Sequence, residues 1–113
     1  MELKEGMYVR TKKDIFQIRN DKTFLENKIE YIAVNGRYTC IDVKTIIKAS
    51  NNIIDLIEVG DYVNGNRVVS VHKDKKYQIE INDEYSYGYL KKEEIKSIVT
   101  KEQFESMSYK VMK

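Results

Sequence analysis

A motif that occurs twice constrains the fold of this 113-residue chain more than any other feature of its sequence. Two segments recur in the same order, residues 3–9 (LKEGMYV) as residues 57–63 (IEVGDYV) and residues 43–48 (VKTIIK) as residues 95–100 (IKSIVT). Self-similarity of this kind indicates that each copy is one structural unit. The sequence therefore predicts an internal duplication, with one unit in residues 1–52 and the other in residues 53–113.

Each half consists of short strand segments separated by turns. Strands are predicted at residues 8–11, 15–19, 28–34, 38–42, 62–63, 67–71, 77–81 and 85–90. Within them, apolar and polar residues alternate, as in Tyr77, Ile79 and Ile81 or in Val69 and Val71, which is typical of strands with one buried face. Asn35-Gly36 and Asn64-Gly65 are strong hairpin signals, because both turn positions need positive φ.

A helix-start signal follows each copy of the second motif. Ser50 stands ahead of Ile54, and Thr100 with Gln103 has the spacing of a capping box ahead of Phe104. Helical periodicity lasts only one or two turns in either place, and we expect Ile54 and Phe104 to cover an open end of the sheet. Residues 109–112 are predicted to add a final edge strand. The fold class is therefore all-β, with one-turn helical segments.

Four strands, a short turn and a fifth strand within each half form a layout like that of SH3 domains. Residues 3–10, 50–65 (SNNIIDLIEVGDYVNG) and 95–111 (IKSIVTKEQFESMSYKV) carry a resemblance to a family. They resemble small uncharacterised proteins encoded by phages and prophages of low-GC Gram-positive bacteria. The resemblance covers the framework of both halves, but not the middle of either, and implies two tandem SH3-like small β-barrels. It implies no activity.

Composition narrows the partners and the compartment. Lys and Arg number 20 against 18 Asp and Glu, a net charge of +2, which argues against non-specific binding to nucleic acid. Cys40 is the only cysteine, the first five residues do not resemble a signal peptide, and no apolar run approaches the roughly 20 residues that span a bilayer. We expect a cytoplasmic protein of the bacterial host with no membrane partner.

Few residues are suited to catalysis. His72 is the only histidine, so a histidine-based metal cluster is excluded, and no cofactor is expected. Cys40 and His72 are conceivable as nucleophile and base, but Cys40 lies in an apolar stretch and His72 at a strand end. The acidic pairs at residues 83–84 and 93–94 lie in predicted turns, and no phosphate-binding loop is present. The sequence predicts no enzyme, no catalytic residue and no metal site.

The segment Tyr85-Ser86-Tyr87-Gly88-Tyr89 is the strongest binding candidate. In a strand, the three tyrosines project from one face, where they present a rigid amphipathic surface. Arg67 and Arg37 follow the two Asn-Gly turns and complete the set of predicted binding residues, which comprises Tyr85, Tyr87, Tyr89, Arg67 and Arg37. The alternative is that the tyrosine face is the interior of the barrel.

Three functions follow from these features. The preferred one is a non-catalytic binding module, an accessory protein of a phage or prophage that binds a host protein, with host defence components among the candidates. The first alternative is a nucleotide or nucleic-acid binder that uses the tyrosines and Arg67. The second is a structural phage component that self-associates through its edge strands.

Overall fold

The computed structural model describes residues 2–36, 38–82 and 87–107. The chain divides into two compact units, Met1–Leu56 (the first unit) and Ile57–Lys113 (the second unit). Strands dominate both units, and the expectation of an all-β fold is confirmed.

The first unit contains a five-stranded antiparallel sheet in the order β4-β3-β2-β1-β5. Its strands are β1 (Tyr8–Arg10), β2 (Ile15–Glu26), β3 (Ile29–Asn35), β4 (Cys40–Asp42) and β5 (Lys48–Ser50). Short 3-10 turns lie at Val43–Thr45 and Ile53–Leu56. Apolar side chains from one face of the sheet form the core, namely Val9, Phe16, Ile18, Ile32, Val34 and Ile41.

The second unit contains another five-stranded antiparallel sheet, in the order β10-β6-β7-β8-β9. Its strands are β6 (Tyr62–Val63), β7 (Asn66–Val71), β8 (Ile79–Asn82), β9 (Tyr87–Leu90) and β10 (Ile98–Val99), and the helix α1 (Lys101–Met107) follows them. A 3-10 turn at Lys92–Glu94 joins β9 to β10. Its buried apolar residues include Val63, Val68, Ile79 and Ile81. Within the described residues, neither sheet closes on itself.

Both Asn-Gly turns join antiparallel strands, as the sequence predicts. Asn64 and Gly65 have φ values of 52° and 82° and connect β6 to β7. Gly36 has a φ of 119° in the connection from β3 to β4. A third hairpin was not predicted, because its turn, Asn27-Lys28, contains no glycine although both residues have positive φ. This turn lets β2 continue to Glu26, whereas the sequence pattern ended that strand at residue 19.

Two predictions of strand alternation in the second unit are wrong. Val68 is the fully buried residue of β7, and a register shift between Val68 and Ser70 moves Val69 and Val71 to half-buried positions. A bulge of this kind inserts one residue and reverses the alternation beyond it. Tyr77 precedes β8 and is exposed, although Ile79 and Ile81 are buried as predicted.

The helix-start predictions are partly confirmed. The backbone N–H of Gln103 donates to the Thr100 hydroxyl at 3.1 Å, as a cap at this position requires. Ile54 is fully buried, whereas Phe104 remains exposed and stacks its ring on Tyr62 with 4.2 Å between the centroids. The edge strand predicted at residues 109–112 lies outside the described residues.

Candidate binding surface

Three of the five predicted binding residues lie in the described part of the chain. Tyr85 and Arg37 lie outside the described residues. Tyr87 is the first residue of β9 and pairs with Asn82 across the sheet. Tyr89 is 54% exposed, and Arg67 near the start of β7 is also exposed.

Strand register places Arg67 and Tyr89 on one face of the second sheet. Arg67 is opposite Asn82, and Tyr89 is opposite Glu80. Asn82 and Glu80 are two residues apart on β8, so their side chains project from the same side. Ile81, between them, is buried on the other side. We call the solvent side the outer face, and it comprises Arg67, Ser70, Glu80, Asn82 and Tyr89.

Gly88 explains why Tyr89 is on the outer face. Gly88 pairs with the buried Ile81, and a Cβ atom at Gly88 would lie 3.4 Å from the Ile81 side chain. Gly88 therefore faces the core side of β9, where an added Cβ would make an ordinary van der Waals contact. Because neighbouring residues of a strand point in opposite directions, Tyr89 points away from the core. For this tyrosine, the alternative that it fills the interior is wrong.

An open concavity of about 550 Å³ adjoins the outer face. Its lining residues are His72, Lys75, Lys76, Tyr77, Glu80 and Tyr89, and we call it the tyrosine pocket. Two ammonium groups approach the Tyr77 ring, the Lys91 Nζ at 5.2 Å and the Lys76 Nζ at 6.0 Å from the ring centroid. Cations at this distance are attracted to the face of an aromatic ring. Two exposed tyrosine rings therefore lie among lysine side chains.

Three polar side chains on and beside the outer face form a hydrogen-bonded chain. The Ser70 hydroxyl donates to Glu80 Oε1 at 2.6 Å, and its oxygen lies 2.8 Å from His72 Nε2. Because the serine proton points to Glu80, the serine oxygen is free to accept a hydrogen bond from the imidazole tautomer that carries its proton on Nε2. A catalytic serine has a different arrangement, in which the imidazole accepts its proton. In this cluster the Ser70 hydroxyl instead donates to Glu80.

Charge in the tyrosine pocket favours an anionic ligand. Lys75 and Lys76 line the pocket, and Lys91 lies over the Tyr77 ring beside it. Glu80 contributes a negative charge to the lining, and the Ser70 hydroxyl donates to its carboxylate. Flexible lysines beside rigid tyrosines attract carboxylate or phosphate groups, while the rings supply the contact area. Lysine and tyrosine at this place were visible in the sequence, but the pairing of β8 with β9 is what brings Tyr77 next to Tyr89.

The first unit contains a cleft of about 580 Å³ that the sequence did not indicate. Phe16, Tyr38, Cys40 and Ile47 contribute to its apolar lining, and Lys12, Lys13 and Lys44 line its basic side. The Phe16 and Tyr38 rings lie 5.9 Å apart, and Tyr38 is 46% exposed. The sequence predicted Tyr38 in a strand at residues 38–42, but β4 begins only at Cys40, and Ile47 lies just before β5. Cys40 is half-buried in this cleft, whereas His72 belongs to the second unit.

Two further searches bear on other kinds of site. Within residues 2–36, 38–82 and 87–107, no group of three or more His, Cys, Asp or Glu side chains is placed to hold a metal ion. No helix in the same ranges has the length and apolar character needed to cross a membrane. No protein-family model, curated protein or solved structure matches the chain.

Proposed function

We propose that this chain is a non-catalytic binding module that contacts an acidic region of a protein partner through the tyrosine pocket and the outer face. The observation that carries the proposal is the pair of exposed tyrosines, Tyr77 and Tyr89, flanked by Lys75, Lys76 and Lys91. Tyrosine is enriched among residues that dominate protein interfaces, because it buries a large area and loses little side-chain entropy.

The polar side chains nearby suit recognition of a protein. Ser70 and Glu80 are held by their mutual hydrogen bond. Arg67 is exposed and lies opposite Asn82, two residues from Glu80 along β8. Ordered polar groups around an aromatic centre resemble the polar rim of an interface. Since the lysines outnumber Glu80 here, an acidic partner surface is the complementary one.

The resemblance noted in the sequence extends the proposal to a biological setting. We infer a phage or prophage accessory protein that binds a protein in the cytoplasm of a low-GC Gram-positive host. The proposal that two SH3-like units arose by duplication is supported by the common strand order, in which the fifth strand pairs with the first in each sheet. Open five-stranded sheets are compatible with SH3-like units in which the barrel is incomplete.

The test is a comparison of three tagged proteins in host lysate: the wild type, Tyr89→Ala and Tyr38→Ala. The two tyrosines are similarly exposed, at 54% and 46%, but Tyr38 belongs to the cleft of the first unit. We expect a stoichiometric host protein to be retained by the wild type and by Tyr38→Ala, and to be lost with Tyr89→Ala.

Other outcomes would change the proposal in defined ways. Loss with Tyr38→Ala alone would move the binding site to the cleft of the first unit. Retention by both variants would contradict the proposed surface, and an absence of any stoichiometric protein would contradict the proposed partner class. Circular dichroism of both variants serves as the folding control, since neither side chain is buried.

A nucleotide or nucleic-acid binder is the second candidate, and the lysines around the Tyr77 ring are the observation that favours it. Aromatic rings stack on bases while lysines neutralise phosphates. The chain has nine tyrosines and no tryptophan, so tyrosine fluorescence can be followed directly. Saturable quenching by ATP or by a short thymidine oligonucleotide, absent in Tyr89→Ala, would favour this candidate over a protein partner.

A further inference from the structure

The hairpin of β2 and β3 extends beyond the packed part of the first unit. Every residue from 19 to 30 is exposed, although these residues are almost all assigned to strands. We call residues 19–30 the arm. Inside the unit, β2 is flanked by β1, but β1 covers only Ile15–Gln17. Within the described residues, no strand lies beside β2 on that side of the arm.

The turn determines which backbone groups face this open edge. Asn27 and Lys28 form a two-residue turn, and Glu26 and Ile29 are the pair that closes it. In such a hairpin the closing pair exchanges both of its hydrogen bonds, and hydrogen-bonded pairs alternate with unbonded ones. Phe24 and Glu26 therefore direct their backbone groups towards β3. Leu25, between them, directs its own towards the open edge. The regular pairing of β2 with β3 is interrupted between Asn20 and Phe24, where Lys22 N–H donates to Asn20 Oδ1 at 3.0 Å, and Thr23 lies at the end of this interruption.

Several large apolar side chains of the arm are exposed to solvent. Phe24 stacks on Tyr31 with 5.7 Å between the ring centroids, and Ile29 lies on the same face, two residues from Tyr31. Leu25 on the other face is 75% exposed. A long edge strand with apolar residues is a template for pairing with another strand. The pattern of charges along β2 indicates which strand that is.

We propose that the arm pairs with the arm of a second copy of this chain, antiparallel through the open edges of the two β2 strands, with Phe24 opposite Phe24. In this register Lys22 of each copy is opposite Glu26 of the other, so that two oppositely charged pairs flank the phenylalanines. Thr23 is then opposite Leu25, and these two residues exchange the backbone hydrogen bonds that the edge leaves open. Opposite charges across antiparallel strands stabilise the pairing.

Neighbouring registers are less favourable for physical reasons. Only residues that face the open edge can be opposite one another and exchange backbone hydrogen bonds. Each allowed register therefore places one residue of β2 opposite the same residue of the second copy, and that residue is the centre of the pairing. Centring the pairing on Lys22 or on Glu26 places like charges together. Centring it on Thr23 or on Leu25 places Phe24 opposite Lys22 or Glu26. Pairing centred on Phe24 alone combines an aromatic pair with complementary charges.

The first experiment is sedimentation equilibrium of the purified chain over a range of concentrations, with three variants. We expect the wild type to dimerise reversibly. Lys22→Glu and Glu26→Lys each replace two attractive cross-strand pairs by two repulsive ones and should weaken the dimer about tenfold or more. The double variant, Lys22→Glu with Glu26→Lys, should restore the wild-type dimer.

A cross-linking experiment tests the register independently. In a Cys40→Ser background, Phe24→Cys places two cysteines opposite each other at a position without backbone hydrogen bonds. Such positions bring Cβ atoms close enough for a disulfide between copies. Leu25→Cys is the matched control, because its partner across the strands is Thr23 and not a second cysteine. We expect a disulfide-linked dimer from Phe24→Cys and a monomer from Leu25→Cys.

Three results would overturn this proposal. A wild type that stays monomeric at all concentrations excludes the pairing. A dimer that neither charge reversal weakens, or that the double variant fails to restore, excludes this edge and register. Equal cross-linking of the two cysteine variants excludes Phe24 as the centre. None of these measurements uses a host partner, so they are independent of the proposed function.

Discussion

The first and second units share a frame of backbone hydrogen bonds around their repeated glycines. In the first unit, Gly6 N–H donates to the Ile18 carbonyl at 2.9 Å, and Ile18 N–H donates to the Met7 carbonyl at 2.8 Å. Gly6 has a φ of 87°, a backbone angle that residues other than glycine rarely adopt. This turn directs the chain into β1.

The second unit repeats this frame with different residues. Gly60 N–H donates to the Val68 carbonyl at 2.9 Å, and Val68 N–H donates to the Asp61 carbonyl at 2.7 Å. Gly60 has a φ of 98°. The repeated motif therefore encodes one local structure twice, and the differences between the units must come from side chains that vary within it.

The largest difference is at the residue after the glycine. Met7 is half-buried and packs against the apolar core of the first unit. Asp61 is 0% exposed and accepts hydrogen bonds from Glu58 N–H at 2.8 Å and from Lys101 N–H at 2.9 Å. Asp61 thus connects the turn to the start of α1. At this position the second unit has a buried carboxylate that holds α1, whereas the first unit has a side chain that packs against the apolar core.

The first unit joins its last segment from another position. Arg10 is almost fully buried, and its Nη1 donates to the Leu56 carbonyl at the end of the Ile53–Leu56 turn, at 2.8 Å. Asn64 occupies the matching position in the second unit and binds Lys96 N–H and Ser97 N–H through Oδ1. The two matching positions therefore carry different polar links, one from a buried strand residue and one from a turn residue with a φ of 52°.

The strongest expected effect comes from removing the carboxylate. Asp61→Ala leaves two N–H groups without their acceptor and should lower the free energy of unfolding of the second unit by about 3 kcal/mol. Met7→Ala, the matched change in the first unit, should cost about 1 kcal/mol, because it removes only partly buried apolar surface. Urea unfolding with hydrogen exchange resolved by peptide reports the two units separately. Equal losses of unfolding free energy for Asp61→Ala and Met7→Ala would contradict the proposed difference between the two units.

Arg10→Met tests the link in the first unit. It keeps most of the apolar stem but leaves the Leu56 carbonyl without its guanidinium donor, and should cost about 2 kcal/mol. Arg67→Met is the control on an exposed arginine of the second unit and should change stability by less than about 0.5 kcal/mol. Chemical denaturation of both variants provides the comparison. A cost for Arg10→Met as small as that of the control would show that the buried guanidinium does not hold the Leu56 turn.

The two glycines should behave alike. Gly6→Ala and Gly60→Ala each force a Cβ atom into the left-handed region, at a cost of about 1 kcal/mol. A Cβ at Gly60 would lie at an ordinary 3.5 Å from the Lys101 side chain, and one at Gly6 would meet nothing within 4 Å. Thermal unfolding should therefore show similar losses. A much larger loss for Gly60→Ala would mean that packing against α1, and not φ, determines its cost.

The smallest effect concerns pH and belongs to the second unit. A hydrogen bond from Lys101 Nζ to Glu58 Oε1 at 2.8 Å, together with the charge of Glu58, raises the pKa of Lys101 above its ordinary value of 10.5. Because the folded pKa is the higher one, this stabilisation is complete below about pH 10 and is lost as pH rises through the folded pKa. Solvent screening limits it to about 0.5 kcal/mol.

Glu58→Gln should remove this dependence. The difference in unfolding free energy between wild type and variant should shrink between pH 8 and the alkaline side of the Lys101 pKa. A difference that stays constant with pH would show that the ion pair contributes nothing to the contrast between the units.

Local signals in the sequence predicted much of this architecture. The features that the sequence missed depend on pairing between strands that are distant in the chain. Asn64-Gly65 predicted its hairpin because positive φ at both turn positions is a property of those two residues. Asn27-Lys28 makes an equivalent turn without glycine, so the arm was missed. The bulge after Val68 was also missed, because it depends on how β7 meets β8 and not on the pattern of β7 alone.

The same division holds for the candidate surface. Tyr89 was singled out from the sequence as a strand residue, but alternation alone left both directions open for its side chain. The register that pairs Gly88 with the buried Ile81 decided that Tyr89 points to solvent. Tyr77 was expected on the buried face, and it instead lines the tyrosine pocket, because β8 begins only at Ile79.

By itself, the sequence determined the strand-rich fold, the repeated glycine turns and two of the hairpins, since these follow from φ preferences and alternation over a few residues. Only the tertiary structure decided which face of β9 is solvent-exposed, how far β2 extends and which polar side chains are buried. Those properties depend on partners distant in the chain, as Asp61 depends on Lys101 and Arg10 on Leu56. A residue's own chemistry specifies what contacts it needs, and the packing of the chain specifies which residue supplies them.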